Sequence, residues 1–415
     1  MRVLAYTSPE RGHLYPTMPT LLELAERGHD VSVRTRAEDV ELLRALGLDA
    51  GPVDRRIREV PHDDYAARTP VGAIRRDARS FAARAPIELE DLRGAVAEQS
   101  PDVLLLDSTA WGAAVAGELS GLPWAFIAHF PLPLRSREAP PYGLGVAPRP
   151  GAAGRARDAL LRAVVLGPLE RMVVSPLNEL RAQHGLSPLP PDGHHMYAEW
   201  APLTLAYTAF PFEYPRSDWP ERVRMVGPGA WDPPGDAPAW LEQIDRPLVL
   251  VTCSSEFQDD GKLAVTAVQA LAGEDVAVVV TTAGVDPASV PGAPNARVER
   301  FLPHAPLLAR AECVVCHAGM GITQKALAAG VPVVAVPFGR DQFEVARRVQ
   351  VCDAGVRLSA TRLRADRLRA AVAAARTKRD GARRIAAAFA AAGGAARAAD
   401  ALEALAADRV ATASS

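Results

Sequence analysis

The sequence predicts an α/β protein built as two parallel-sheet domains that face each other across a cleft. Three observations lead there. Short runs rich in Val, Leu and Ile, the pattern of strands buried on both faces, alternate with helical patterns along most of the chain. That alternation breaks at residues 210–240, FPFEYPRSDWPERVRMVGPGAWDPPGDAPAW, which are dense in Pro and Gly, and then restarts. A chain of 415 residues is long for one domain and comfortable for two.

In the first half, residues 2–7 read as a strand, and residues 8–16 as a loop carrying Gly12 and His13. A helix follows from about Thr17, with Leu21, Leu22, Leu24 and Ala25 on its apolar face and Gly28 at its end. A strand at 31–35 and a helix at 40–46 complete a strand–helix–strand unit, which calls for right-handed crossovers and a parallel sheet. Residues 51–100 are Arg-rich and interrupted by proline, with helices expected near 72–83 and 87–99; Arg55, Arg56 and Arg58 read as solvated surface. PDVLLLD at 101–107 is a strong strand, followed by a small-residue helix at 111–119, a Gly121 stop and a strand at 123–127. From His129 to about Pro191 the chain mixes proline-rich loops with a helical pattern over 153–183. Loops this long in a compact domain usually serve binding. Trp111, Phe130, Tyr142, Met172, Met196, Tyr197 and Trp200 either line an apolar pocket there or belong to the core.

The second half repeats the alternation, with strands at 248–252, 276–281 and 296–301 and a helix at 261–271. Its densest unit is CVVCHAGMGITQKALAAGVPVVAVPFGRDQFEV, residues 313–345. A strand, a glycine-bearing turn, a helix stopped by Gly330 and a second strand place two polar clusters at carboxyl strand ends, where such sheets bind ligands. Glycines admit backbone N–H groups to a ligand, and the helix start favours an anion. The stretch therefore reads as a phosphate holder, with Asp341 and Gln342 near enough to hold hydroxyls. After Arg364 the chain is Ala- and Arg-rich and reads as surface helices.

Composition narrows the function. With 48% hydrophobic and 23% charged residues and a net charge of −2, the chain is globular and has no electrostatic case for nucleic acid. The N-terminal apolar run is too short for a signal core, and no uninterrupted apolar stretch approaches the roughly 18 residues of a membrane span. A soluble, cytoplasmic protein is expected. Cys313 and Cys316 have metal spacing, but on a strand they point to opposite faces and cannot share an ion. The histidines at 62, 184, 194 and 195 form no ligand pattern, so no metal is expected.

His13 and Asp107 both fall at carboxyl strand ends of the first half. A His with a carboxylate on its other nitrogen is a usable general base. Equally, His13 reads as a polar loop residue and Asp107 as a cap for the turn after it.

These residues together resemble a family. RGHDVSVRT at 27–35, FLPHAPLL at 301–308 and CHAGMGITQKALAAGVPVVAVPFGRDQ at 316–342, on two α/β halves with Gly-His after the first strand, are similar to the family-one glycosyltransferases of the GT-B fold. The nearest flavour is the bacterial branch that decorates polyketides, macrolides and enediynes. The resemblance implies two Rossmann-like domains: 1–214 for the acceptor, 215–240 as linker, 241–390 for the nucleotide sugar and 391–415 as a helical tail. It implies His13 as base and Asp107 as its partner. Ser254 and Ser255 would lie by the donor diphosphate, Leu302 and His304 by the base, and His317 with Gly319, Met320, Gly321 and Ile322 would cradle the diphosphate. Asp341 and Gln342 would hold the sugar. Trp111, Phe130 and Tyr142 are the acceptor-site candidates. The implied reaction is inverting transfer from a TDP- or UDP-sugar to a hydroxyl of a small apolar aglycone. It needs no cofactor and no metal, and the implied enzyme is a monomer or homodimer. Ile322 replaces a hydroxyl residue, Lys325 stands where Glu commonly meets the ribose, and Val345 stands in place of Asn. A sugar-nucleotide epimerase on the same scaffold and a non-catalytic auxiliary relative are the alternatives.

Overall fold

The computed structural model describes residues 1–67, 69–256 and 258–413. Strands β1 (Arg2–Tyr6), β2 (Asp30–Thr35), β3 (Asp49–Pro52), β4 (Val103–Asp107), β5 (Trp124–Ala128), β6 (Leu203–Ala206) and β7 (Val223–Met225) form one sheet in the order β3-β2-β1-β4-β5-β6-β7. Strands β8 (Leu248–Thr252), β9 (Ala277–Thr281), β10 (Ala296–Glu299), β11 (Ala311–Cys316), β12 (Val333–Ala335) and β13 (Gly355–Arg357) form the other, in the order β10-β9-β8-β11-β12-β13. Every pairing is parallel. In each sheet the winding direction reverses once, between β1 and β4 and between β8 and β11. Those reversals open the crevices in which such sheets bind ligands.

Helices α1 (Arg11–Glu26), α2 (Val40–Ala45), α3 (Arg55–Glu59), α4 (Pro70–Gln99), α5 (Trp111–Ser120), α6 (Gly151–Leu161) and α7 (Gly167–Gln183) belong to the first half. Helices α8 (Gly261–Leu271), α9 (His304–Leu308), α10 (Met320–Ala328), α11 (Gln342–Val351), α12 (Ala365–Arg376), α13 (Arg379–Ala391) and α14 (Gly394–Ala413) follow the linker. Both faces of the central strands are buried. Val3 and Ala5 pack into one layer and Leu4 and Tyr6 into the opposite one, and Cys316 and Cys313 divide between the two faces of β11 in the same way.

Several elements differ from the sequence reading, three of them helices that contain proline. Helix α1 begins at Arg11, so His13 stands in a helical first turn and not in a loop, even though Pro16 and Pro19 lie inside the helix. Leu14, Met18, Leu21 and Leu24 are fully buried beneath it. At ~1.5–3 kcal/mol each they outweigh the missing amide bonds. The two helices expected across 72–99 are one helix, α4, running through Pro86. His304 begins the short helix α9, with Pro306 in its first turn, where no amide partner is lost. Strands β3, β6 and β13 are short and went unread, while β7 matches the one strand-like stretch, 222–226, of the segment read as linker.

The tail is the largest departure. By length and composition residues 379–408 would pass for a membrane-crossing run. Gly393 and Gly394, with φ of +91° and +57°, instead divide it into α13 and α14. Ile385 and Phe389 enter the second domain's core, while Ala398, Ala399 and Leu402 are fully buried in the first domain's core. Helices α13 and α14 therefore each bury one face, α13 in the second domain and α14 in the first, and together they tie the two domains. Arg27 anchors α14, reaching Asp400 at 2.6 Å and Glu403 at 3.1 Å.

Gly112 shows how tightly the first domain is packed. A Cβ there would strike the Ala85 carbonyl of α4, and the Gly112 amide donates to Glu88 Oε2 at 3.0 Å. Gly112→Ala should lower stability by roughly 2 kcal/mol or more, the cost of overpacking against backbone that cannot move aside. Thermal unfolding of the variant would measure this, and an unchanged midpoint would refute the contact.

Candidate active site

The reversal between β1 and β4 brings His13 to Asp107. Nδ1 of His13 lies 2.8 Å from Asp107 Oδ2. The carboxylate is 1% exposed, and its other partners are the Ser8 amide at 3.2 Å, the Thr109 amide at 2.9 Å and the Thr109 hydroxyl at 2.8 Å. Asp107 thus caps its turn and holds His13 at once. Burial alone would raise its pKa, but His13 and these donors hold it well below the carboxylate range. For His13, burial favours the neutral ring, and Asp107 outweighs it, leaving a pKa above the ordinary 6.5. An Nδ1–H donated to a carboxylate leaves Nε2 as the lone-pair nitrogen, on a side chain still 24% exposed.

His129, at the carboxyl end of β5, completes this cluster and was missed in the sequence. Its Nε2 lies 2.9 Å from His13 Nδ1 and the rings meet edge-on at 4.3 Å. Burial and then the positive charge of His13 push its pKa down to about 3, so it stays neutral. The rule that singled out Asp107, a polar residue at a carboxyl strand end, would have found it. His13, Asp107 and His129 lie close enough to share a metal ion by distance. The cationic form that Asp107 favours at His13 works against such a use.

The reversal between β8 and β11 assembles the opposite wall. His317 follows β11, and its ring lies over Gly319, where any Cβ would collide with Nε2. Ala318 takes φ of +66°, and Gly319 precedes the first turn of α10. Nothing lies within 4 Å of a Cβ on Gly321, so the start of α10 faces open space. The side chains of Met320 and Ile322 turn into the core, leaving only their amides for a ligand. Thr323, fully buried with its hydroxyl 3.8 Å from Cys316 Sγ, does not replace the hydroxyl that Ile322 lacks.

Ser254 is buried and committed to its own loop, its amide donating to Asp260 at 2.7 Å and its hydroxyl accepting from Gln258 at 2.7 Å; Ser255 beside it is exposed. Gln342 is likewise structural. Its Oε1 accepts from the Phe338 and Gly339 amides at 2.8 and 3.1 Å and its Nε2 donates to Gln258 at 2.5 Å, so it shapes the loop that presents Asp341. Burial raises the Asp341 pKa to about 6, against the pull of the Arg340 charge beside it. Burial and then the charge of Asp341 raise the pKa of Tyr142, which lies in the first domain.

Leu302 packs on the core edge, and His304 Nε2 lies 3.1 Å from the Thr281 hydroxyl. Lys325 pairs with Asp232 at 2.6 Å, a linker residue whose other oxygen accepts from the His304 and Ala305 amides. Val345 is fully buried. Of the aromatic candidates, Trp111 is 2% exposed and packs on Phe81 in the core, while Phe130 is half-buried against Tyr197 and His129. The loop of Tyr142 is gripped by α11, since Glu344 accepts from the Gly143 and Gly145 amides at 2.9 and 2.7 Å.

The His13–Asp107 pair sets a titration. With Asp107→Asn the carboxylate that raises the His13 pKa is gone and burial prevails, so His13 should titrate below its present value and below 6.5. NMR of the His13 ring across pH would show it; a titration unmoved by the substitution would sever the pair.

Residues 263–405 match the family described as erythromycin biosynthesis protein CIII-like, C-terminal domain. The 4'-demethylrebeccamycin synthase of Lentzea aerocolonigenes is 34% identical over 388 residues, spanning 90% of this chain and 91% of that one. Among solved structures, the glycosyltransferase SnogD from Streptomyces nogalater has a TM-score of 0.70 at 21% identity, over 98% of this chain and 99% of its own. The spinosyn rhamnosyltransferase SpnG complexed with thymidine diphosphate has a TM-score of 0.73 at 20% identity, over 97% and 100%. At those identities the two structures speak for the fold. With two facing parallel sheets of GT-B type and a relative aligned along nine-tenths of its length, the chain belongs to the family-one glycosyltransferases of natural-product biosynthesis.

Proposed function

We propose that this glycosyltransferase moves a sugar from a thymidine or uridine diphosphate donor to a hydroxyl of an apolar aglycone, inverting the anomeric carbon, with His13 as general base. The observation that carries this is the 2.8 Å His13–Asp107 contact at the mouth of one sheet, with Asp341 and the α10 start at the mouth of the other. The thymidine diphosphate bound by the spinosyn enzyme favours the thymidine donor here.

Each part has a physical task. Nε2 of His13 takes the acceptor proton as oxygen attacks, and Asp107 stabilises the imidazolium that forms. The leaving diphosphate gathers negative charge against the amides at Gly319–Ile322, the positive end of α10 and the His317 ring. Burial holds the His317 pKa down, so that ring serves as a neutral hydrogen-bond donor. Asp341 accepts from sugar hydroxyls. Base and leaving group stand on opposite domains, which sets the attack in line and inverts the centre.

His13→Ala should cut transfer by about 10²–10⁴-fold, the usual worth of a positioned base. Because the base works unprotonated and its pKa lies above 6.5, the acid limb of kcat/KM should fall above pH 6.5. Protonation of Asp341 near pH 6 should weaken the donor step further on the acid side. A mass-spectrometric screen of aglycones against TDP- and UDP-sugars supplies the assay. Full activity of His13→Ala would overturn the base assignment, and product formed without any aglycone would point to an epimerase.

A further inference from the structure

Arg340 is the residue before Asp341, and its backbone sits in the left-handed region at φ +53°, an unfavourable place for a long side chain. Its side chain leaves the second domain altogether. Nε donates to Asp64 Oδ2 at 2.8 Å and Nη2 to Asp64 Oδ1 at 2.7 Å, a two-pronged pair with a carboxylate of the first domain. The Asp64 side chain is 6% exposed. Burial would raise the Asp64 pKa, and Arg340 brings it below its usual value.

Asp64 is the first link of a chain of alternating charge that runs back to the base. His62 Nε2 stands 3.8 Å from Asp64 and 2.8 Å from Asp77 on α4, and its Nδ1 stands 3.9 Å from Glu10. Glu10 pairs with the buried Arg84 of α4 at 3.0 Å. Although burial disfavours its charge, His62 has its pKa raised to about 9 by Asp77 and Glu10, so it is cationic at neutral pH. Glu10 is also the residue from which α1 starts: its carbonyl accepts the His13 amide at 3.0 Å. By distance, His62, Asp64 and Asp77 could hold a cation, but the Arg340 guanidinium already engages both oxygens of Asp64 with positive charge. The sequence Arg340, Asp64, His62, Asp77 with Glu10, and Arg84 therefore connects the residue beside Asp341 to the residue that starts the helix of His13.

We infer that Arg340 and Asp64 are a positioning pair: an interdomain clasp that fixes the separation between the sugar-holding carboxylate and the base. The inference rests on the reading above that the reaction spans the cleft. Neither residue touches the reacting atoms. Breaking one side leaves a desolvated charge without its partner, whereas removing both relieves that penalty.

The test is a double-mutant cycle of Asp64→Asn, Arg340→Gln and both together in the full chain. It is read by kcat at saturating donor, by thermal unfolding and by the radius of gyration in small-angle scattering. Each single variant should lose roughly tenfold or more in kcat, and the double should be no worse than either single, as for residues acting as one unit. Scattering should show the same coupling, with a larger radius in all three variants by a similar amount. Arg340→Gly, which suits the left-handed backbone, should fall with Arg340→Gln. Multiplicative losses in the double, singles that change only the unfolding midpoint, or an active Arg340→Gly would each overturn the clasp. Scattering needs no substrate, so the clasp is judged even if no aglycone is ever accepted. Normal turnover with uncoupled variants would remove the clasp and leave the transferase reading intact.

Discussion

A carboxylate with 1% of its surface exposed must have its lone pairs met or it will not stay ionised, and Asp107 is such a group. Two amides, a hydroxyl and an imidazole meet it, from Ser8, Thr109 and His13. Those partners come from the ends of two neighbouring strands, β1 and β4, whose winding diverges at that point. The reversal thus does two things together. It leaves an open crevice where a ligand can enter, and it places enough backbone donors at the floor of that crevice to keep one charge buried. The charge in turn decides the tautomer and the basicity of His13. If the carboxylate were neutral, the burial of His13 would leave a weaker base with no fixed orientation.

The second domain answers with backbone where the first uses a charge. His317 needs Gly319 beneath it, and Gly321 leaves the start of α10 uncovered. Side chains that could have crowded this turn, Met320, Ile322 and Thr323, all go into the core. The positive end of the helix is therefore presented by N–H groups and one imidazole, a surface suited to a diphosphate and indifferent to what sugar hangs from it. On the proposed reading, selectivity for the sugar falls to the loop after β12, which Gln342 stiffens and Asp341 tips.

Much of this was legible in the sequence because it is local. Glycine turns at strand ends, apolar runs of strand length and polar residues at carboxyl strand ends need no knowledge of distant contacts, whereas the meeting of His13 with Asp107, 94 residues on, does. Proline misled where tertiary burial outweighed a lost backbone hydrogen bond, at Pro16 in α1 and Pro86 in α4. The division of labour within pairs was also hidden. Nothing in the residue Gln342 says that its amide closes on Phe338 and Gly339, and nothing in Trp111 says core instead of pocket. Contacts between the halves were the least readable: Asp64 and Arg340 are 276 residues apart, and Lys325 and Asp232 are 93.

Those long-range contacts explain how two domains with separate cores can hold one site. Helices α13 and α14 form an apolar brace, with Phe389 in the second domain's core and Leu402 in the first's. Near the cleft the connections are polar and narrow: Arg340 to Asp64, Glu344 to the amides of Gly143 and Gly145, Lys325 to Asp232, Gln324 to the Tyr207 carbonyl. Apolar burial is non-directional and tolerates sliding, whereas a bidentate ion pair or an amide bond fails within an ångström. The brace can therefore keep the halves together while the polar contacts fix their spacing. The proposed in-line displacement, with base and leaving group on opposite domains, needs both, because a displacement of about 1 Å already costs much of the rate. On this view α11 is the central element. It begins beside Asp341, carries Glu344 to the loop of Tyr142, and carries Arg348 to Glu213 at 2.8 Å, so one rigid helix ties the Asp341 loop to two segments of the first domain.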